Sequence, residues 1–262
     1  MSRRAWRPSR VPRVRLLLAA AVFALVAGPA LARDLTRADV KAAIRAAGPG
    51  HPVNFSGRSL AGLDLSGLDL AGADLAHADL YNVKLNDTNL TGADLSGDRL
   101  DLAWIMRTNF TRANLSGVLL HGPIVAPGME DIPKDAPILV GANLSGAQII
   151  ARLNGDAEGA NFAQANLGAD IRNQSMGILH SDFNNANLRH AIFADANLAY
   201  ASLRFADLTG ADLHGAKLHW ADLSGADLTD TDLTGADFTH AVLTDAIIKG
   251  AKGLATVKGF TP

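Results

Sequence analysis

The chain has 262 residues, no cysteine, 48% apolar side chains and only 5% aromatic ones. This length and apolar content exclude disorder, allow one large or two small domains, and require a core packed from small and medium side chains. The formal net charge of −2 conceals an asymmetry: six arginines and no acid fall within residues 1–32, leaving 18 basic against 26 acidic side chains, a balance of −8. An acidic body disfavours direct nucleic-acid binding and suits a basic partner.

The N-terminus has the three parts of a secretory signal: Arg3, Arg4, Arg7, Arg10, Arg13 and Arg15, then the apolar run 16–27, then Ala30-Leu31-Ala32 as a small-x-small cleavage site. Residues 1–32 are therefore expected to be a signal peptide cut after Ala32, with the mature chain starting at Arg33 in the periplasm or cell envelope. Ser2-Arg3-Arg4 resembles a twin-arginine signal, but Pro8, Pro12 and a long spacer favour the general secretory route. An uncleaved anchor is the alternative, although the run is short for a membrane span. Residues 33–50 read as a helical cap, with Thr36 as N-cap, Asp39 at the third helical place, Val40 and Ile44 on one face, and Gly48-Pro49 as the stop.

From residue 51 to 121 every fifth residue from Phe55 to Leu120 is apolar, fourteen without a miss, and residues 142–250 hold a second run of fourteen from Phe183 to Ile248. The residue two places before each centre is usually Ala. The one between is Asp or Asn at nine of fourteen places in each run, which marks it as outward-facing. A period of five fits neither an α-helix, where five residues advance about 500°, nor a straight strand, where successive centres would change face. The chain must bend once per repeat: Ala-Asp-Leu is strand-like, and the following Ser-Gly or Thr-Gly turns the corner. Four bends close a coil of about twenty residues, and stacked coils pair their backbones at roughly 4.8 Å.

Between the runs, residues 122–141 lose the repeat and carry Pro123, Pro127, Pro133 and Pro137, which reads as an inserted Pro-rich loop and a place for recognition. Just before it, Trp104, Met106 and Arg107 replace the expected Asp or Asn, Ser or Thr, and Gly; packing under the loop or partner contact would explain them. Irregular coils are expected near 150–159 and 170–177. Residues twenty apart stack in columns, so His180, Tyr200, Trp220 and His240 should share one edge, with His219 beside Trp220. The column reads either as a binding stripe for a protein or a sugar chain, or as a stripe that packs internally. The tail 251–262 has no capping helix, so the last coil is either weakly covered or paired with a second copy as a homodimer.

Tandem Ala-(Asp/Asn)-Leu-x-x, as in Ala206-Asp207-Leu208-Thr209-Gly210-Ala211-Asp212-Leu213, resembles the pentapeptide-repeat family. The resemblance implies an all-β fold, a right-handed quadrilateral β-helix with Leu, Phe and Ala inside. It does not imply an activity, because the family is defined by its architecture. No Cys nucleophile, G-x-S-x-G, H-E-x-x-H or phosphate-binding Gly loop is present, so no catalytic residue, cofactor or metal site is expected. Stacked carboxylates such as Asp74 and Asp94 suggest calcium only weakly, since the repeat itself places Asp there. The expected function is an exported scaffold that binds a macromolecule, most simply a protein. The alternatives are a gyrase-binding DNA mimic of the fluoroquinolone-resistance type, which the export signal opposes, and a structural envelope spacer.

Overall fold

Each pentapeptide holds about three extended residues between bends, so each side of the coil contributes a single backbone pairing rather than a long strand. A computed structural model describes residues 35–122, 135–169 and 180–260; the expected signal peptide, most of the Pro-rich insertion and the stretch 170–177 expected to be irregular lie outside them. Among the described residues the pairings are parallel bridges one coil apart, plus β1 (Leu119–His121) paired in parallel with β2 (Gln148–Ile150). The bridges fall into four columns, one for each side of the coil. The first side climbs through Asn54, Asp74, Asp94, Asn114, Asn143, Asn161, Ile192, Asp212, Asp232 and Lys252, which counts ten levels.

Each level is fastened twice. Amide and carbonyl groups bond to the next coil, as in Leu75 N–H to Asp94 O at 2.8 Å, and each bend is closed by a short bond such as Ala78 N–H to Leu75 O at 2.8 Å. The Asp or Asn before each centre accepts the amide two residues on, as Asp94 Oδ1 does from Ser96 at 3.0 Å. This self-bond is the reason for the acidic residue at that place. Neutral Asn also links levels, with Asn114 Nδ2 donating to Asp94 at 3.0 Å and Asn197 Nδ2 to Asn166 at 2.7 Å. Inside, the centres of the two runs are buried from Phe55 to Leu120 and from Phe183 to Phe238, with alanines between them. Around residues 162–193 the core is aromatic: Phe162 and Phe193 stack at 4.8 Å, and Phe183 meets both edge-on.

Helix α1 (Arg37–Ala47) opens with a complete capping box between Thr36 and Asp39. Val40 is fully buried, and Leu35, Ala43, Ile44 and Ala47 pack on the same core as the coils. Arg37 fastens the helix to the first coil through the Asp64 and Ser66 carbonyls and the Asp64 carboxylate at 3.0 Å.

Three stretches differ from the expected boundaries. The loop expected over 122–141 is shorter, because Ile138 already pairs with Asn109 and Leu139 is a buried centre. Pro137 hides this in the sequence, since it stands where the repeat has Ala and cannot donate the bend-closing bond. In 150–159 the coil continues but is tight: Gln148, Arg152, Asp156 and Asn161 all pair, at steps of four, four and five residues. Gly155 is needed there, because a Cβ would stand 2.5 Å from the Pro137 carbonyl oxygen. The tail is not free of the repeat: Lys252 pairs with Asp232, Lys258 with Asp237, and Phe260 meets Phe238 edge-on at 5.8 Å. Gly253 sits where the next centre would fall, so the five-residue signal stops before the coil does.

Candidate binding face

The residue two places after a centre turns the corner and adopts positive φ, which suits Gly. Tyr200, Trp220 and His240 hold this conformation, with φ of 63°, 61° and 63°. Bulky side chains there carry about 1–2 kcal/mol of backbone strain each. All three lie on the corner between the second and third sides, at successive levels. Tyr200 and Trp220 are parallel with centroids 6.3 Å apart, Trp220 and His240 stack at 4.3 Å, and His219 presents its edge to Tyr200 at 6.1 Å. Because the rings stack on one another, their faces are largely turned along the rod and their edges point outward. His180 rejoins the coil two residues before Asp182, as Tyr200 precedes Ser202, and Asp182 pairs with Ser202.

Trp104 and Arg107 are not part of that ladder. Trp104 lies on the third side but four levels lower, roughly 19 Å at the strand spacing, with Lys84 Nζ 5.7 Å from its ring. Arg107 turns the next corner and clamps Asp87 below it at 2.6 Å and Asp135 above it at 2.7 Å. Its hydrogen bonds to Asp87 and Asp135 raise the guanidinium's pKa further, and accepting from Arg107 holds the Asp87 carboxyl below the usual range. Arg107 thus fastens the point where the insertion ends.

Phe205, which the sequence reading did not single out, is the most exposed large apolar residue among the described residues at 59%, followed by Trp220 at 52%. Phe205 turns the corner between the third and fourth sides and lies across Gly225 of the next coil, where a Cβ would meet its ring at 2.4 Å. The pairing of a bulky corner residue with Gly twenty positions later was the available signal. Between the two corners the third side carries Ser202, Asp222 and exposed Val242, with Arg204 3.7 Å from Asp222.

The chain leaves and rejoins the coil around both insertions on this side too. Gly122 sits on the second–third corner, and Asp135 returns at the third–fourth corner, where its carbonyl accepts the Arg107 amide. Ala169 lies on the second–third corner below Tyr200, donating its amide to Ala199, and His180 leads back onto the third side. Among the described residues the first and second columns are continuous, the fourth is joined at its one gap by Leu139 N–H to Asp156 O, and the third is described up to Trp104 and again from Arg152.

Elsewhere the columns are mostly Asp and Asn, with exposed Ile192 on the first side and exposed Ile138 and Ile247 on the fourth. Hydrogen bonds from the Thr234 and Thr239 hydroxyls and amides keep Asp232 and Asp237 below the usual carboxylate range. Among the described residues no three His, Cys, Asp or Glu side chains converge to hold a metal ion.

Comparison with known proteins places this geometry. No curated protein matches the sequence significantly. Among solved structures, HetL, a pentapeptide repeat protein involved in heterocyst differentiation regulation from the cyanobacterium Nostoc sp. strain PCC 7120, is 27% identical, covering 83% of this chain and 94% of its own, with a TM-score of 0.44. QnrB1, a plasmid-mediated fluoroquinolone resistance protein, is 18% identical over 79% of this chain and 89% of its own, TM-score 0.35. Rfr23 from the cyanobacterium Cyanothece 51142 is 25% identical over 57% and 90%, TM-score 0.33. The model of pentapeptide repeats matches eight copies, at residues 59–97, 84–122, 180–215 and 221–252, which together span just over half of the sequence. With that match and four-sided coils of five-residue period, the chain belongs to the pentapeptide repeat family.

Proposed function

We propose that this protein is an exported, non-catalytic right-handed β-helix, capped by α1, whose third side recognises a protein partner in the periplasm or cell envelope. The observation that carries the reading is the asymmetry of the four sides. The chain leaves and rejoins the coil around both insertions on the third side or its corners, and the same side and corners carry the aromatic ladder and Phe205, with the two most exposed large apolar groups among the described residues. Recognition concentrates where a rigid scaffold departs from its repeat. A protein fits better than a glycan, because sugar rings stack on open aromatic faces and those of Trp220 are turned toward Tyr200 and His240. Exposed Trp and Phe beside an arginine match the side chains that dominate protein interfaces. At the C-terminal end, the half-exposed last coil supports pairing of two copies.

The test changes Tyr200 and Trp220 to Ala, confirms the fold by circular dichroism, and compares the proteins retained from an envelope extract with those of the parent. Loss of specific retained proteins is expected; an unchanged set removes the ladder as the recognition element. N-terminal sequencing of the protein from a periplasmic extract should read from Arg33.

A further inference from the structure

Asp98 stands inside an otherwise apolar rod. It occupies the inward place two residues before Leu100, where the repeat has Ala, and is 0% exposed. Its Oδ1 accepts the Ala78 amide at 2.8 Å, while its Oδ2 has no partner. The same Ala78 N–H also bonds to the Leu75 carbonyl at 2.8 Å, so two acceptors crowd one donor.

Other polar residues at this inward place show what the site needs. The hydroxyls of Thr88, Thr108 and Thr231 donate to the carbonyls of Leu65, Leu85 and Leu208 at 3.0, 2.8 and 2.9 Å, each 23 residues earlier. Twenty-three residues before Asp98 is Leu75. A carboxylate there only accepts and has nothing to give, whereas a carboxylic acid supplies the missing donor.

We propose that Asp98 folds as a neutral acid that replaces the threonine hydroxyl, its Oδ2–H donated to the Leu75 carbonyl, and that loss of this proton loosens the third level of the rod as pH rises. Burial pushes the Asp98 carboxyl up to about 8; the Ala78 amide opposes the rise, and the Asp94 and Asp74 carboxylates on the neighbouring side add to it. Around it, the His77 ring lies against Gly97 and its amide reaches the carboxyl, while Arg99 points outward to Asp79 and Asp101.

The sign follows from the raised value. Below the ordinary carboxyl value of 3.8, Asp98 is protonated in both the folded and unfolded chain and its contribution is complete. Between 3.8 and about 8 only the folded form holds the proton, so stability falls with pH across that window and levels off above it. Carboxyls held low, such as Asp64, Asp94, Asp232 and Asp237, act in the opposite sense and only at acid pH.

The test follows Tm from pH 5 to pH 8 in the parent, Asp98→Thr and Asp98→Asn, the histidines being common to all three. The parent should lose roughly 5 °C or more relative to Asp98→Thr across the window, and Asp98→Thr should melt above the parent at pH 8. Infrared spectra of aspartate-labelled parent at pH 6.5 should show a protonated carboxyl band that is absent from both variants. Parallel melting curves, or no such band in the parent, would overturn the proposal.

Discussion

The two ends of the rod are built from the same repeat and finished differently. At the N-terminal end α1 lays Val40 and its apolar neighbours on the core, and the early centres Leu60 and Leu65 are as dry as those in the middle. At the C-terminal end Leu243, Ile248, Val257 and Phe260 are only partly buried, although they face inward by register. The repeat therefore supplies inward direction, but dryness comes from what lies on the next level. An end coil stays wet until something covers it.

The largest effect should come from the middle, where both neighbours are present. Leu213→Asp puts a charge into a fully buried place and should cost roughly 4 kcal/mol or more, read as a collapse of the urea midpoint. The same deletion at each end should then differ. Leu60→Ala removes a dry centre and should cost about 2–5 kcal/mol, whereas Leu243→Ala, already partly wet, should cost about 1 kcal/mol. Equal losses would show that end cover does not control burial. Adding Val40→Asp, which lifts the helix, should shrink the Leu60→Ala penalty toward that of Leu243→Ala. The proposed pairing of C-terminal ends makes Tm rise with protein concentration, and Leu243→Asp should abolish the rise without unfolding the remaining coils.

Much of the fold was legible because the five-residue period leaves few ways to bury Leu60, Leu65, Leu70 and Leu75 together. The aromatic column was legible for the same reason, since a fixed coil of twenty residues brings Tyr200, Trp220 and His240 onto one corner. Reading failed where the coil length changes. Pro137, the four-residue steps at Gln148, Arg152 and Asp156, and Gly253 in place of a centre all keep the backbone pairings while breaking the sequence period. Asp98 was invisible in sequence for a different reason: one acid among many outward ones is marked only by its place two residues before a centre.

The smallest expected effect is the most informative about the candidate face. Trp220→Gly removes two stacking contacts, with Tyr200 and His240, each worth about 0.5–1.5 kcal/mol. It also gives the corner the residue that positive φ favours, releasing about 1–2 kcal/mol of strain. The two terms oppose each other, so the melting temperature should shift by no more than about 2–4 °C, equivalent to roughly 1 kcal/mol for a chain of this size. Gly225→Trp is the converse on the next corner: it meets Phe205 as well as an unfavourable φ, and should be clearly destabilising. A neutral Trp220→Gly that also loses the proposed partner would place the residue's value in recognition. A strongly destabilised Trp220→Gly would make the ladder a structural strut and leave Phe205 and Val242 to define the face.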